Sequence, residues 1–268
     1  MEITIPKKLT NNFQSHLFFT ELQASTKRLI QDEIILNFEE TKLIESNLFA
    51  VLGSLIMDLE RRKNKVRLIN FQDSILNLFY TKKMIKGGMK KDVWKSLIKC
   101  QFFKSDDESE LTDYLENKIF PERPDVALNP QLKMAIELCV AEIFRNAFTH
   151  SNRKEVFISH YVSVHNKKLI ISIVSKGVNI QQLATSVLKQ AQSGMGAIQW
   201  AVQSGTTSKP FKHKGMGLFT IRQFIEQNDG KIQIISGNGV WKQVKKRQFS
   251  KLTRKEYPGT IVTLEFNV

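Results

Sequence analysis

Cysteine is nearly missing from this 268-residue chain, which carries only Cys100 and Cys139. Two thiols cannot build a disulfide framework or a thiolate metal cage, and Cys139 lies within an apolar helical pattern, so a reducing compartment is expected. Long apolar runs are missing too. A stretch such as LIISIV, residues 169 to 174, falls far short of the roughly 20 residues that cross a bilayer. The opening MEITIPKKLT has an acidic second residue and no apolar core of secretory length. The expectation is a soluble, cytoplasmic protein with no membrane partner.

Acids are in deficit, 26 against 40 lysines and arginines, for a net charge of +14. The imbalance is sharpest in WKQVKKRQFSKLTRK, residues 241 to 255, where seven cations occur with no acid between them. Such a run favours polyanionic partners, but lysine is abundant along the whole chain. A solvated face is the favoured reading, with nucleic acid as the alternative. Low-complexity tracts and internal repeats are also lacking.

What is present is a change of pattern along the chain. The first third alternates β and α signals: EITIP as a strand, a helix over 13–31, EIILNF (33–38) as a buried strand, a helix over 48–65, and VRLINF (66–71) as the next parallel strand. SILNLFYTKKMI supplies a further helix before Gly87-Gly88. Parallel strands need helical crossovers, so this part predicts a small α/β layer. Residues 87–129, with SDDESEL and FPERPDVALNP, read as a partly helical connector. From residue 130 the pattern becomes a helix, a β-hairpin (EVFISHYVSV and KLIISIVS), a glycine-bearing loop stretch, and a helix ended by Asp229-Gly230. The strands KIQIIS and GTIVTLEF complete a mostly antiparallel sheet, half covered by helices.

The segment AEIFRNAFTHS, residues 141–151, carries the chemistry. At 100° per residue Asn146 lies about 40° from Glu142, Thr149 about 20° and His150 about 80°, so the four share a face. Val140, Ala141, Ile143, Phe144, Ala147 and Phe148 fill the opposite arc. A water-facing stripe is normally filled by Lys and Glu, whereas Asn and Thr are poor helix formers in mid-helix. The amide oxygen of Asn146 suits Mg²⁺, and a carboxylate one turn earlier can polarise a water or hydroxyl aimed at a phosphoryl group. Downstream, HKGMGLFTIRQFI places Gly215 and Gly217 directly before a helix, where backbone N–H groups bind anionic oxygens. The cationic SGTTSKPFKHK before it offers Lys209, Lys212 or Lys214 to phosphates.

In this order, Glu142-Ile-Phe-Arg-Asn146-Ala-Phe-Thr-His150, a hairpin, a glycine-bearing loop, a variable lid and Gly215-Met216-Gly217-Leu218 resemble the N box, G1 box, lid and G2 box of the GHKL ATPase superfamily. The resemblance covers roughly residues 130–268 and implies the Bergerat fold, an α/β two-layer sandwich with a mostly antiparallel sheet. It implies ATP and Mg²⁺ as cofactors, Asn146 as the metal ligand and Glu142 as general base. Nucleotide contacts would come from Asn146, His150, Ser175, Gly177, Thr206, Thr207, Lys214, Gly215, Met216, Gly217 and Leu218. Where the family's G1 box usually reads Asp-x-Gly-x-Gly, this chain reads Ser175, Lys176, Gly177, Val178, Asn179. A serine hydroxyl can still accept a hydrogen bond from the adenine amino group, without charge. Asn179 would have to stand in for the second glycine.

The alternation over residues 1–86 resembles a STAS domain, the α/β module of anti-sigma-factor antagonists. Aligned on that resemblance, Asn47 stands at the family's phosphoacceptor position in Glu45-Ser46-Asn47-Leu48, next to Ser46. Ser46 or Asn47 is expected to cap the helix that follows. The two resemblances meet in bacterial partner switching. Together they imply a cytoplasmic signal-transduction protein with an ATP-dependent switch, or with weak ATPase or serine-kinase activity. Its target would be the fused STAS-like domain or a partner protein, and a protein partner or a homo-oligomer is expected. The alternative is a nucleotide sensor or scaffold that binds protein or nucleic acid through its basic surface.

Overall fold

A computed structural model describes residues 1–72, 75, 100–122, 128–206 and 217–268. Apart from Ile75, the helix expected over SILNLFYTKKMI lies outside the described residues, as do the Gly87-Gly88 break and most of the expected lid. The chain is mixed α/β, with seven α-helices among the described residues, and divides into two units, Met1–Gln101 and Phe102–Val268.

In the first unit β1 (Glu2–Thr4), β3 (Glu33–Asn37) and β5 (Lys65–Ile69) form a parallel sheet in the order β1-β3-β5. Helix α1 (Phe13–Thr26) joins the first pair and α2 (Phe49–Arg61) the second, the crossovers that parallel pairing requires. A second parallel pair, β2 (Lys8–Leu9) with β4 (Leu43–Ile44), is too short to leave a periodic signal. Helix α1 stops five residues before the expected end. Gln31 takes a left-handed φ of 59° and its N–H bonds to the Arg62 carbonyl at 3.2 Å, so the chain has already turned towards β3.

The expected cap at Ser46 or Asn47 is not formed. A 3₁₀ turn over Ser46–Leu48 coils the chain before α2 begins, Leu48 N–H bonding to Glu45 O at 3.0 Å and Phe49 N–H to Ser46 O. Neither start carries a side-chain cap. Asn47 is fully buried and Ser46 half-buried.

The second unit is built on a five-stranded sheet in the order β6-β7-β8-β10-β9: β6 (Gln101–Phe103), β7 (Val156–Ser163), β8 (Lys168–Lys176), β9 (Lys231–Val244) and β10 (Arg247–Asn267). The pairs β7-β8, β8-β10 and β9-β10 are antiparallel. Helices α3 (Glu108–Tyr114), α4 (Pro130–His150), α5 (Ile180–Leu188), α6 (Gly194–Ala201) and α7 (Gly217–Gln227) complete it.

Part of the segment expected as a connector enters this unit's core. Phe103, Leu111, Leu115 and Ile119 are buried with Phe144, Phe148, Ile173 and Trp241. Phe144 stands edge-on to Phe103 and to Phe148, with centroids 5.0 and 4.9 Å away. Each such buried side chain contributes about 1.5–3 kcal/mol, which fixes α4 on the sheet through its apolar arc.

The expected loop stretch after β8 holds two helices, α5 and α6. Gly194 opens α6 because its backbone meets that of Gly239 on β9, where a Cβ would come within 2.3 Å of the Gly239 nitrogen. Asp229-Gly230 ends α7, but the left-handed residue is Asp229, at φ 55°. Gly230 is needed for a close approach instead, since a Cβ there would lie 2.3 Å from the Glu265 carbonyl oxygen.

Candidate functional site

Helix α4 begins in a cap, Asn129 Oδ1 accepting Leu132 N–H at 2.7 Å with Pro130 in the first turn, and runs 21 residues to His150. Its apolar arc holds it against the sheet, so the stripe of Glu142, Asn146 and His150 takes up one side. Glu142 is only 6 % exposed, whereas Asn146 and His150 are half-buried and Thr149 is exposed.

A buried carboxylate needs partners, and Glu142 has three. Its Oε2 accepts from Arg145 at 2.9 Å; its Oε1 accepts from the Asn146 amide at 3.1 Å and from the Gly217 backbone N–H at 3.3 Å. The last bond crosses 75 residues and joins α4 to the start of α7, where unpaired backbone donors and the helix dipole favour an anion. Two of the expected site segments therefore converge on one carboxylate.

Arg145 lies at the surface and is paired there. Besides Glu142 it meets Glu108 of α3, with Nη1 at 3.0 and 3.2 Å from the two carboxylate oxygens. The hydrogen bond to Glu142, followed by that to Glu108, raises its pKa above the ordinary arginine value.

Because the Asn146 nitrogen donates to Glu142, its Oδ1 is left without a partner among the described residues. That is the hard oxygen a magnesium ion would use. No group of three or more His, Cys, Asp or Glu side chains suited to a metal occurs among the described residues. The donor set thus fits an ion that takes one or two protein oxygens and completes its shell with water and phosphate.

The far end of the stripe is tied to β8. Ser151, the residue after α4, donates its hydroxyl to the Lys176 carbonyl and accepts from Arg153 N–H at 3.2 Å. The end of α4 therefore lies beside the G1-like segment. Ser175 is 7 % exposed, and its hydroxyl bonds to no described residue. Gly177 has φ 108°, a conformation that favours glycine, and a Cβ there would lie 2.1 Å from Asn152 Oδ1, the end of an exposed side chain that can move aside. Pro258 O receives the Gly177 N–H at 3.2 Å.

Asn179 takes a backbone conformation open to any residue. Its φ is −100°, in the extended region, and it caps α5: its Oδ1 accepts from Gln182 N–H at 2.8 Å while Gln182 Oε1 accepts from Asn179 N–H at 3.0 Å. Asn179→Ala is expected to lower the stability of the second unit by about 1 kcal/mol, read as a shift of the urea midpoint. Asn179→Ser should lose much less.

The remaining expected contacts divide. Thr206 turns its hydroxyl back to the Ala201 and Gln203 carbonyls, at 3.3 and 2.9 Å, and closes the end of α6. Leu218, in the first turn of α7, packs half-buried against the core. Thr207, Lys209, Lys212, Lys214, Gly215 and Met216 lie outside the described residues. Sequence reasoning missed Glu108 and Ser151. Glu108 sits 37 positions from Arg145 and leaves no periodic signal, whereas Ser151 directly follows the N-box-like helix.

No family model and no curated protein matches this chain.

Proposed function

We propose that the chain is a cytoplasmic regulatory ATP-binding protein of the GHKL type, with a STAS-like N-terminal domain. Nucleotide held against α4 would act as a switch, or support weak ATPase or serine-kinase activity directed at the STAS-like domain or a partner protein. The observation that carries this is the meeting of Glu142, Asn146 and the Gly217 N–H, with one uncommitted amide oxygen beside them. Asn146 Oδ1 would hold the magnesium ion, which when bound supplies charge neutralisation for the phosphates. Glu142 would orient a water or hydroxyl, the Gly217 N–H would face a phosphate oxygen, and the Ser175 hydroxyl would accept from the base. Gly177 would leave room for close approach.

The second reading is a sensor that binds nucleotide without turnover. It is favoured by the saturation of Glu142, both of whose oxygens are engaged, one by a guanidinium. Calorimetric titration with ATP and GTP, with and without Mg²⁺, tests nucleotide binding, and phosphate release tests turnover. Binding with turnover that Glu142→Ala abolishes supports the enzyme. Binding without turnover in the parent protein supports the sensor. Absence of binding under all conditions overturns both.

A further inference from the structure

The basic run left over from the sequence is neither loop nor linker. It forms the outer half of the β9–β10 hairpin, with Arg247 opposite Val244, Phe249 opposite Lys242, Ser250 opposite Trp241 and Leu252 opposite Gly239. Strand β8 pairs with β10 only from Gly259 onward, so this half of β10 has no strand on its other edge among the described residues. The arm is held on its β9 side, where Trp241 is fully buried and Gly239 lies against the backbone of Gly194.

Residues 247–252 are all exposed. Side chains alternate along a strand, so Arg247, Phe249 and Lys251 share one side at intervals of about 7 Å. Lys242 joins them from β9, its Nζ 5.0 Å from the Phe249 ring centre. Phe249 keeps 52 % of its surface exposed. Lys245 and Lys246 stand at the tip and Arg254 and Lys255 at the base, and the first acid is Glu256. Lys245 pairs with Asp229, at 3.6 Å on an exposed surface.

We propose that this arm binds single-stranded nucleic acid, the phosphates running along Arg247, Lys251 and the flanking lysines while a base stacks on Phe249. Cations alone attract any polyanion, including an acidic peptide. An exposed aromatic ring between them selects a ligand that alternates negative charge with a planar apolar face, and unpaired bases meet both conditions. The surface is separate from the residues around Glu142 and does not depend on nucleotide binding there.

The test is fluorescence anisotropy of the full chain with a labelled 20-nucleotide oligothymidylate over a salt series, without ATP. Affinity should fall steeply with salt, with a log–log slope of about −0.7 for each phosphate neutralised. The triple variant Arg247→Gln, Lys251→Gln, Arg254→Gln should flatten that slope by about 2. Phe249→Ala should weaken binding roughly tenfold and leave the slope unchanged. All four sites are exposed, and circular dichroism should report the same folded state. The proposal is overturned if the oligonucleotide does not bind, if Phe249→Ala binds as tightly as the parent, or if polyglutamate of equal charge competes equally.

Discussion

Gly259→Ala is expected to cost the second unit on the order of 3 kcal/mol or more. Position 259 pairs with Lys176 where β10 meets the end of β8, and its φ of 149° belongs to a region essentially closed to side-chain-bearing residues. A Cβ there would also lie 2.1 Å from the Ser175 carbonyl oxygen and 2.8 Å from the Lys176 Cα. Both neighbours are backbone atoms of a paired strand, so relief requires the two strands to part. Urea unfolding followed by tryptophan fluorescence should show a midpoint lowered by about 1–2 M. Gly205→Ala is the control. Gly205 has a positive φ of 76° but nothing within 4 Å of its added Cβ, so strain acts there without a clash and the loss should be far smaller. Equal losses at the two positions would show that contact with β8 is not what matters.

Asn146→Ala should separate metal-assisted binding from binding of the free nucleotide. The variant removes the open amide oxygen and a donor to Glu142 Oε1, while Arg145 and the Gly217 N–H continue to hold that carboxylate. Affinity for Mg-ATP is expected to fall by about ten- to a hundredfold, the range seen when even outer partners of a metal are removed. Affinity for ATP in chelator should be nearly unchanged. A thermal shift offers a second readout, because a ligand at a hundred times its Kd stabilises by about 2.7 kcal/mol and most of that would disappear at the same concentration. If parent and variant respond to Mg²⁺ alike, Asn146 has no part in holding the ion.

The two halves of the sequence were legible to different depths. In the first, strands and crossover helices alternate with apolar periods long enough to read, and the structure places β3, α2 and β5 within a few residues of expectation. The misses have local causes. Gly194 and Gly196 suggested a loop, yet Gly194 is small so that α6 can lie against β9. Strands β9 and β10 run well past KIQIIS and GTIVTLEF, because pairing across a hairpin and the burial of Trp241 outweigh the weak strand preference of lysine. In the candidate site, the spacing of Glu142, Asn146 and His150 was visible because a helix repeats every few residues. The Arg145–Glu108 and Ser151–Lys176 contacts join positions 37 and 25 apart, and nothing periodic connects them.

Arg145 has two acidic neighbours but one positive charge. With Glu142 swung towards a ligand, its guanidinium would be left to Glu108 alone, and α3 would be gripped by a cation no longer shared. Were the proposed nucleotide to draw Glu142 away in this manner, its binding would alter how firmly the segment around Glu108 is moored, a mechanical readout that asks for no displacement of the sheet.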